Sequence, residues 1–161
     1  MWFKRHSTPD INAADPSMRC AAIDAGAVGQ NALRRLLTHD AEASVRRAAA
    51  KRLNDLVLLR ATFESDRDHS VRESARARYR QLLAGGDGLD MAYRHAALQA
   101  CQDGQIIAHV ARSAREPELR ALAIERVNET RLLHEVAEHD PDRHIADKAR
   151  ARLAWLSDQR Q

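Results

Sequence analysis

Aromatic residues, glycine, proline and cysteine are all scarce in this chain of 161 residues. Phe, Trp and Tyr together make up 4% of it, and there are six Gly, four Pro and two Cys. Few helix-breaking residues, combined with abundant Ala, Leu and Arg, favour helix over strand. Cys20 and Cys101 form no CxxC motif, and the first residues contain no apolar signal-like segment. This pattern predicts a reduced, cytoplasmic location.

Long apolar runs and a strong excess of one charge are also missing. The longest strongly apolar run, Leu56 to Leu59, is far shorter than the roughly 20 residues of a membrane span. We therefore expect no membrane partner. The net charge is +3: residues 1–86 contain 15 Lys/Arg and 10 Asp/Glu, whereas residues 87–161 contain 11 and 13. Such a small charge is not typical of a dedicated nucleic-acid-binding protein.

The chain does contain a short sequence motif, the phrase, that recurs six times. Each copy has an acid, an apolar anchor three residues later, usually Arg next, and Ala four residues after the anchor. The Arg is present in five copies, and the anchors are 27, 26, 22, 26 and 26 residues apart. A period of this length predicts an array in which each unit buries its apolar face against its neighbours. The acids are Asp15, Glu42, Asp68, Asp90, Glu116 and Asp142.

A longer period overlies the short one. The anchor Val45 has its counterpart in Leu119, and two further motifs recur at the same distance along the chain. These are RLND at 52–55 with RVNE at 126–129, and ARAR at 75–78 with ARAR at 149–152. The glycine-rich segment 84–88 breaks the helical pattern between the copies. We predict an all-α protein of about ten helices in two duplicated halves, hinged at this segment.

The phrase resembles the second helix of HEAT-type repeats, which read roughly D-x-x-V-R-x-x-A. The opening Met1-Trp2-Phe3-Lys4-Arg5, the Asn54-Asp55 turn and the half-repeat layout resemble the N-terminal HEAT-like region of a large bacterial helical family of unknown function. The resemblance implies one α–α superhelix, a HEAT-like solenoid, over residues 1–161, with halves at about 13–84 and 88–158. It implies an interaction role and no assigned chemistry.

The six acids are expected to begin helices. A carboxylate at that position accepts backbone N–H bonds and meets the positive end of the helix dipole. Pro16 and Pro117 directly follow two of the acids, where proline suits a helix start. The alternative is a metal-binding column of acids. We predict helix capping.

The repeated Arg is expected to form a structural ladder. It lies four residues after the acid of its own helix, so a pair within the helix is available. An aspartate in the preceding loop offers a second acceptor, as Asp66 does six residues before Arg72. In HEAT-like arrays an Asp–Arg ladder of this kind ties adjacent units together, and the alternative is a ligand-binding Arg column. The ladder set is Asp40, Arg46, Asp66, Arg72, Arg94 and Arg120.

Further basic residues follow the anchors at offsets that mostly point away from the buried stripe. In HEAT arrays this helix lines the concave surface, where a row of Arg can bind phosphates or an acidic helix. The alternative is a solvated face balanced by neighbouring acids. The candidate basic face consists of Arg47, Lys51, Arg52, Arg76, Arg78, Arg80, Arg126, Arg150 and Arg152.

No catalytic or metal-binding pattern is recognisable. His134, His139 and His144 step by five residues, which does not place them on one helical face, and no phosphate loop, Ser–His–Asp pattern or HExxH motif occurs. Trp2 and Trp155 are expected to cover the ends of the array. We predict no enzyme, metal or cofactor, but a scaffold that binds a protein partner or another part of its own full-length chain. The alternative is nucleic-acid binding through the basic face.

Overall fold

The computed structural model describes residues 10–85 and 88–161. Over these residues the chain forms ten α-helices and no β-strand, which confirms the predicted helical class and helix number. The opening Met1–Arg5, including the predicted cap Trp2, lies outside the described residues. The helices are α1 (Pro16–Asp24), α2 (Gln30–His39), α3 (Ala43–Ala50), α4 (Leu56–Ser65), α5 (His69–Leu83), α6 (Met91–Ala100), α7 (Gly104–Ser113), α8 (Pro117–Ile124), α9 (Thr130–His139) and α10 (Arg143–Asp158).

Each acid of the phrase stands directly before a helix, so α1, α3, α5, α6, α8 and α10 are the phrase helices. Four acids, all aspartates, accept a hydrogen bond from a backbone N–H of the first turn: Asp15, Asp68, Asp90 and Asp142. Glu42 and Glu116 occupy the N-cap position but make no side-chain cap bond. The capping prediction is therefore wrong for the two glutamates, whose residue type is not among those that favour the N-cap position.

Helix boundaries recur in the same order in the two halves of the chain. Helices α2, α3, α4 and α5 begin at Gln30, Ala43, Leu56 and His69, and α7, α8, α9 and α10 begin at Gly104, Pro117, Thr130 and Arg143. The offset between corresponding helices is the same for all four pairs. Helices α1 and α6, which begin at Pro16 and Met91, form a fifth pair with nearly the same offset. The long period of the sequence thus corresponds to two successive sets of five helices with matching boundaries.

Neighbouring helices pack closely. Helix α2 packs against α3, α7 against α8, and α9 against α10. Phrase helices also contact one another, as α1 does with α3 and α8 with α10. The anchor and the small Ala of the phrase lie in this core: Val45 and Ala49 in α3, and Leu119 and Ala123 in α8, are fully buried. A side chain as small as Ala allows the helix axes to approach closely.

The chain divides into two compact units between Tyr79 and Arg80, inside α5. The helical break falls just after α5, where Gly85 (φ 121°) and Gly88 (φ 61°) adopt left-handed conformations that favour glycine. At Gly85 a Cβ would also meet the Cβ of Arg115 at 2.9 Å. Residues 86 and 87 lie outside the described part. The last turn of α5 belongs with the second unit, since the Nε of Arg94 donates to the Leu82 carbonyl at 2.8 Å.

No helix in the described ranges is both long enough and apolar enough to cross a membrane.

Candidate functional site

The phrase Arg joins its own helix to the next loop along the chain. In α3, the Nε and Nη2 of Arg46 donate to both carboxylate oxygens of Asp66, at 3.1 and 3.3 Å. Its Nη1 donates to the main-chain carbonyls of Asp40 and Ala41, both at 3.0 Å. Because a guanidinium carries its donors in a fixed fork, one side chain holds three backbone segments together. Arg46 is buried, so this contact is structural and is not presented to solvent.

The same arrangement occurs twice more. Arg19 binds both oxygens of Asp40 at 2.9 and 3.0 Å, and Arg120 binds both oxygens of Asp140 at 2.8 and 3.0 Å. Each carboxylate also accepts the backbone N–H of the acid two residues later, as Asp40 does from Glu42 at 3.0 Å. The aspartate therefore connects one phrase helix to the start of the next.

The electrostatics of Asp40 show how this site works. Burial by itself raises the pKa of the Asp40 carboxyl, but the hydrogen bonds from Arg19 and from the Glu42 N–H, with the charges of Arg19 and Arg46, outweigh it. The net effect holds the pKa of Asp40 below its ordinary value of 3.8. The carboxylate is thus stabilised in its charged form inside the fold.

Two members of the predicted ladder have other partners. The Nη1 of Arg72 donates to the main-chain carbonyl of Asp66 at 2.6 Å, while the Asp66 carboxylate binds Arg46. The expected Asp66–Arg72 side-chain pair is therefore corrected: the acid partner lies one unit further along the chain, 20 or 21 residues from its Arg. In α6, Arg94 donates to the Leu82 carbonyl, and Ala114 occupies the C-cap of α7 where α2 has Asp40.

Part of the candidate basic face forms a second Arg column, seven residues after the anchors. Arg78 donates from Nε to the Leu53 carbonyl at 3.0 Å and from Nη2 to Asn54 Oδ1 at 2.5 Å. In the second half, Arg152 makes the equivalent bonds, to the Val127 carbonyl at 3.1 Å and to Asn128 Oδ1 at 2.7 Å. In each half, the last Arg of the ARAR motif therefore donates to the loop motif of the same half. Arg78 binds the RLND motif at 52–55, and Arg152 binds the RVNE motif at 126–129.

The other two members of the second column are Arg52 and Arg126. Arg52 donates to the carbonyl of Asp24, the last residue of α1, at 2.8 Å. Arg126 donates to the Leu98 carbonyl at 2.6 Å and to the Cys101 carbonyl at the end of α6. Carbonyls at a helix C-terminus lack intrahelical donors and form the negative end of the dipole. Arg52 and Arg126, just after α3 and α8, therefore bind the ends of α1 and α6, whereas Arg78 and Arg152 tie α5 and α10 to the loops that follow α3 and α8.

Sequence reasoning assigned this column to the basic face. Its constant offset from the anchor could have distinguished it from surface arginines, since a recurring position in a repeat array usually serves the contact between units.

The remaining candidates are exposed or half-buried. Arg150 pairs with Asp147 at 2.7 Å, with both side chains more than half exposed. Arg47 of α3 and the C-cap residue Lys51 are exposed one turn apart. Exposed acids occupy the equivalent positions of the phrase helices before and after α3 in the sequence: Asp24 in α1 corresponds to Lys51, and Glu73 in α5 corresponds to Arg47. Arg80 is exposed and Arg76 is half-buried. Both signs of charge therefore occur at equivalent positions of the phrase repeats in the first unit.

His109 in α7 lies near two arginines of the second unit, Arg80 and Arg112. Burial lowers the pKa of His109, and the nearby charges of Arg80 and Arg112 lower it further. Arg112 in turn forms a paired, exposed contact with Glu135 at 3.0 and 3.3 Å.

Two clefts adjoin the buried ion pairs. One, of about 460 Å³, lies between the C-terminal ends of α2 and α4 and is lined by Arg46 and Asp66. Its counterpart between α7 and α9, of about 210 Å³, is lined by Arg120 and Asp140. Their charged groups already bind each other. Among the described residues, no group of three or more His, Cys, Asp or Glu side chains is placed to hold a metal ion.

Comparison of the chain with protein-family models, with curated proteins and with solved structures found no match.

Proposed function

We propose that this chain is a non-catalytic, HEAT-like solenoid scaffold, located in the cytoplasm, that binds a protein partner or another part of its own full-length chain. The observation that carries the proposal is the packing of successive phrase helices on one another, α1 on α3 and α8 on α10. This packing aligns their outward faces into rows. The two Arg columns hold the rows in place, and a rigid row of helices is suited to binding an extended or helical segment.

A protein partner is favoured over nucleic acid by the partners of the arginines. Most arginines of the two columns donate to carboxylates or carbonyls of the chain itself, among them Arg19, Arg46, Arg52, Arg78, Arg120, Arg126 and Arg152. Phosphate binding would require exposed cations free to release counterions. The exposed cations Arg47 of α3 and Lys51 at its C-cap have acids at the equivalent positions of the phrase helices before and after α3 in the sequence. A mixed surface of this kind fits a protein ligand better than a polyphosphate.

An exposed tryptophan is the candidate contact residue for a protein partner. Trp155 is 49% exposed, and the Arg152 guanidinium lies over its ring, 4.3 Å from the centroid. Ala151 and Asp147, one turn and two turns earlier on α10, are exposed on the same side. Tryptophan is enriched at the centres of protein interfaces because its large, rigid surface is buried at low entropic cost.

A capture experiment tests the proposal. The immobilised protein is incubated with nuclease-treated lysate of the source cell, and the retained proteins are compared for wild type, Trp155→Ala and Val57→Ala. Val57 is a matched control because it is 72% exposed, but it lies on α4, which is not a phrase helix. We expect a protein that survives nuclease treatment, is lost with Trp155→Ala and is kept with Val57→Ala. Retention that disappears with nuclease would contradict the proposal.

Nucleic-acid binding is the second candidate, and the exposed pair Arg47 and Lys51 is the observation that favours it. Binding to a labelled duplex is measured at low and at physiological salt, for wild type and for Arg47→Glu/Lys51→Glu. Phosphate contacts would make wild-type affinity fall steeply with salt, and charge reversal would abolish it. Weak binding that is the same for both proteins would remove this alternative. Arg78→Glu is unsuitable here because Arg78 ties α5 to Leu53 and Asn54.

A further inference from the structure

Two phrase positions that are buried elsewhere in the chain are partly open in α10. The first lies eight residues after the anchor, and Leu153 of α10 is only half-buried there. The second lies eleven residues after the anchor, where Leu156 is half-buried, whereas Leu56 and Leu82 are buried. The residues that share the position of Leu153 in four other units are at most 5% exposed: Leu53, Tyr79, Cys101 and Val127.

Leu153 and Leu156 line an open groove between α9 and α10, the α10 groove. It has a volume of about 680 Å³, and His134 of α9 also lines it. Along α10 the lining side chains recur every three or four residues, as Leu153, Leu156, Ser157 and Arg160. Such a spacing places them on one side of the helix over two turns. A groove of this kind suits an amphipathic helix laid along it.

The polar residues of the α10 groove favour an acidic ligand. None of the described residues that line the groove is an aspartate or a glutamate. His134 and Arg160 are both exposed. Arg160 forms no ion pair within the described part of the chain, whereas Arg150, earlier on α10, pairs with Asp147. Because guanidinium and imidazole N–H groups donate to carboxylates, the groove is complementary to acids placed beside apolar side chains.

Trp155 belongs to a different surface of α10. With 3.6 residues in a turn, it lies roughly 160° from Leu153 around the helix axis, and it does not line the α10 groove. The exposed indole and the groove are therefore two separate surfaces that substitutions can distinguish.

We propose that the α10 groove binds an amphipathic helix of a protein partner, with apolar side chains on Leu153 and Leu156. Asp or Glu side chains at the edge of that helix bind His134 and Arg160. Burial of the two leucines supplies the attraction, and the acids fix the orientation of the helix. The inference rests on the proposed function, because the ligand is a protein segment, and it adds a second surface with the chemistry that this surface recognises.

A displayed library of random peptides tests the surface and its chemistry together. Peptides selected on the full 161-residue chain are synthesised, and their binding is measured by fluorescence anisotropy. We expect apolar residues three or four positions apart, combined with Asp or Glu. Ala154→Glu should weaken binding by at least about tenfold, since Ala154 is exposed in the groove. Ala151→Glu is the matched control: Ala151 is exposed on α10 outside the groove, and binding should not change.

A charge swap tests the role of Arg160. Arg160→Glu should weaken binding of the acidic peptide by about fivefold or more, because like charges then face each other. A peptide in which Lys replaces every Asp and Glu should show the reverse preference and bind Arg160→Glu more tightly than wild type. Circular dichroism of the variants checks that the fold is unchanged. Peptide preferences that do not depend on residue 160 would overturn the proposed charge complementarity.

The remaining outcomes separate this proposal from the proposed function. A library that yields no binding peptide, or one that yields basic peptides, would overturn the groove proposal. Binding that is lost with Trp155→Ala and Ala151→Glu but kept with Ala154→Glu would place the contact on the Trp155 surface. That result would also overturn the groove proposal, but it would leave a protein-binding scaffold intact. Failure of the proposed function itself appears in the capture experiment, as retention that disappears with nuclease.

Discussion

The two halves of the chain begin with the same phrase but secure it differently. In the first half, Arg19 of α1 binds the carboxylate of Asp40 at the end of α2. In the second half, Arg94 of α6 stands at the equivalent position, Ala114 replaces the aspartate, and Arg94 donates to the Leu82 carbonyl. The difference shows that the guanidinium is the common element. With five donors it can bind the Asp40 carboxylate in one half and the Leu82 carbonyl in the other.

The Arg19–Asp40 ion pair and the bond from Arg94 to the Leu82 carbonyl differ in what they contribute to stability. A buried ion pair gains little over an apolar contact when it is intact, because both groups have lost their hydration. It becomes costly when one partner is removed and the other charge stays buried. Loss of a bond to a main-chain carbonyl leaves no charge behind. The free energy of unfolding should therefore fall by different amounts when the lost arginine bound a buried carboxylate and when it bound a main-chain carbonyl.

The largest expected effect is that of Arg120→Ala. This change leaves the Asp140 carboxylate, 4% exposed, without its partner, and it should lower the free energy of unfolding by about 3–5 kcal/mol. Arg94→Ala removes a bond to the Leu82 carbonyl, and Ala114 stands where the first half has an aspartate, so it should cost less, about 1–3 kcal/mol. Urea unfolding followed by circular dichroism measures both. The matched control is Arg112→Ala, whose pair with Glu135 is exposed and should contribute about 0–1 kcal/mol. Equal losses for Arg120 and Arg94 would remove the distinction between the junctions.

A double-mutant cycle tests which arginine side chain binds the Asp66 carboxylate. Arg46→Ala and Asp66→Ala should show a coupling of about 0.5–3 kcal/mol, because their side chains form a paired contact. Arg72→Ala and Asp66→Ala should be additive within about 0.5 kcal/mol, because Arg72 binds the main-chain carbonyl of Asp66, which survives the substitution. Coupling in the second cycle and additivity in the first would place the ladder within single units.

Acid should weaken the first-half junction selectively. The folded-state pKa of Asp40 lies below its ordinary value of 3.8, so its contribution to stability is present above the unfolded-state pKa and is lost as the pH falls through the folded-state value. The stability difference between wild type and Asp40→Asn should therefore shrink from about pH 6 to about pH 3. Ala114, at the equivalent position, has no titratable side chain. A difference that stays constant with pH would contradict the role of the Asp40 charge.

The smallest expected effect concerns the glutamates that do not cap. Glu42→Asp should place a carboxylate within reach of the first-turn N–H groups of α3, as Asp142 does in α10, and should stabilise the protein by about 0.5–1 kcal/mol. Glu116→Asp should do the same for α8 in the second half. The melting temperature reports both, and the reverse change, Asp142→Glu, should lower it. No gain from either glutamate would show that the loop geometry, not side-chain length, prevents capping.

Most of the helical organisation could be predicted because it depends on local chemistry. The acid before each helix, the anchor and the Ala within it lie within two turns, and their recurrence set the expected number of helices. The long period of the sequence likewise appeared in helix boundaries such as Ala43 and Pro117. The candidate site was harder to predict. Nothing near Arg78 indicates that its acceptors are Leu53 and Asn54, which lie 25 and 24 residues earlier.

By itself, the sequence determined where helices begin, which residues face the core and that the pattern occurs twice, because these properties depend on neighbours within a few residues. The tertiary structure alone decided the partners of the arginines: the Asp66 carboxylate for Arg46, a main-chain carbonyl for Arg72, and helix ends for Arg52 and Arg126. Arg and Asp recur at several offsets that could pair on paper. Only the packing of one helix on another brings a particular donor within about 3 Å of a particular acceptor and excludes the others.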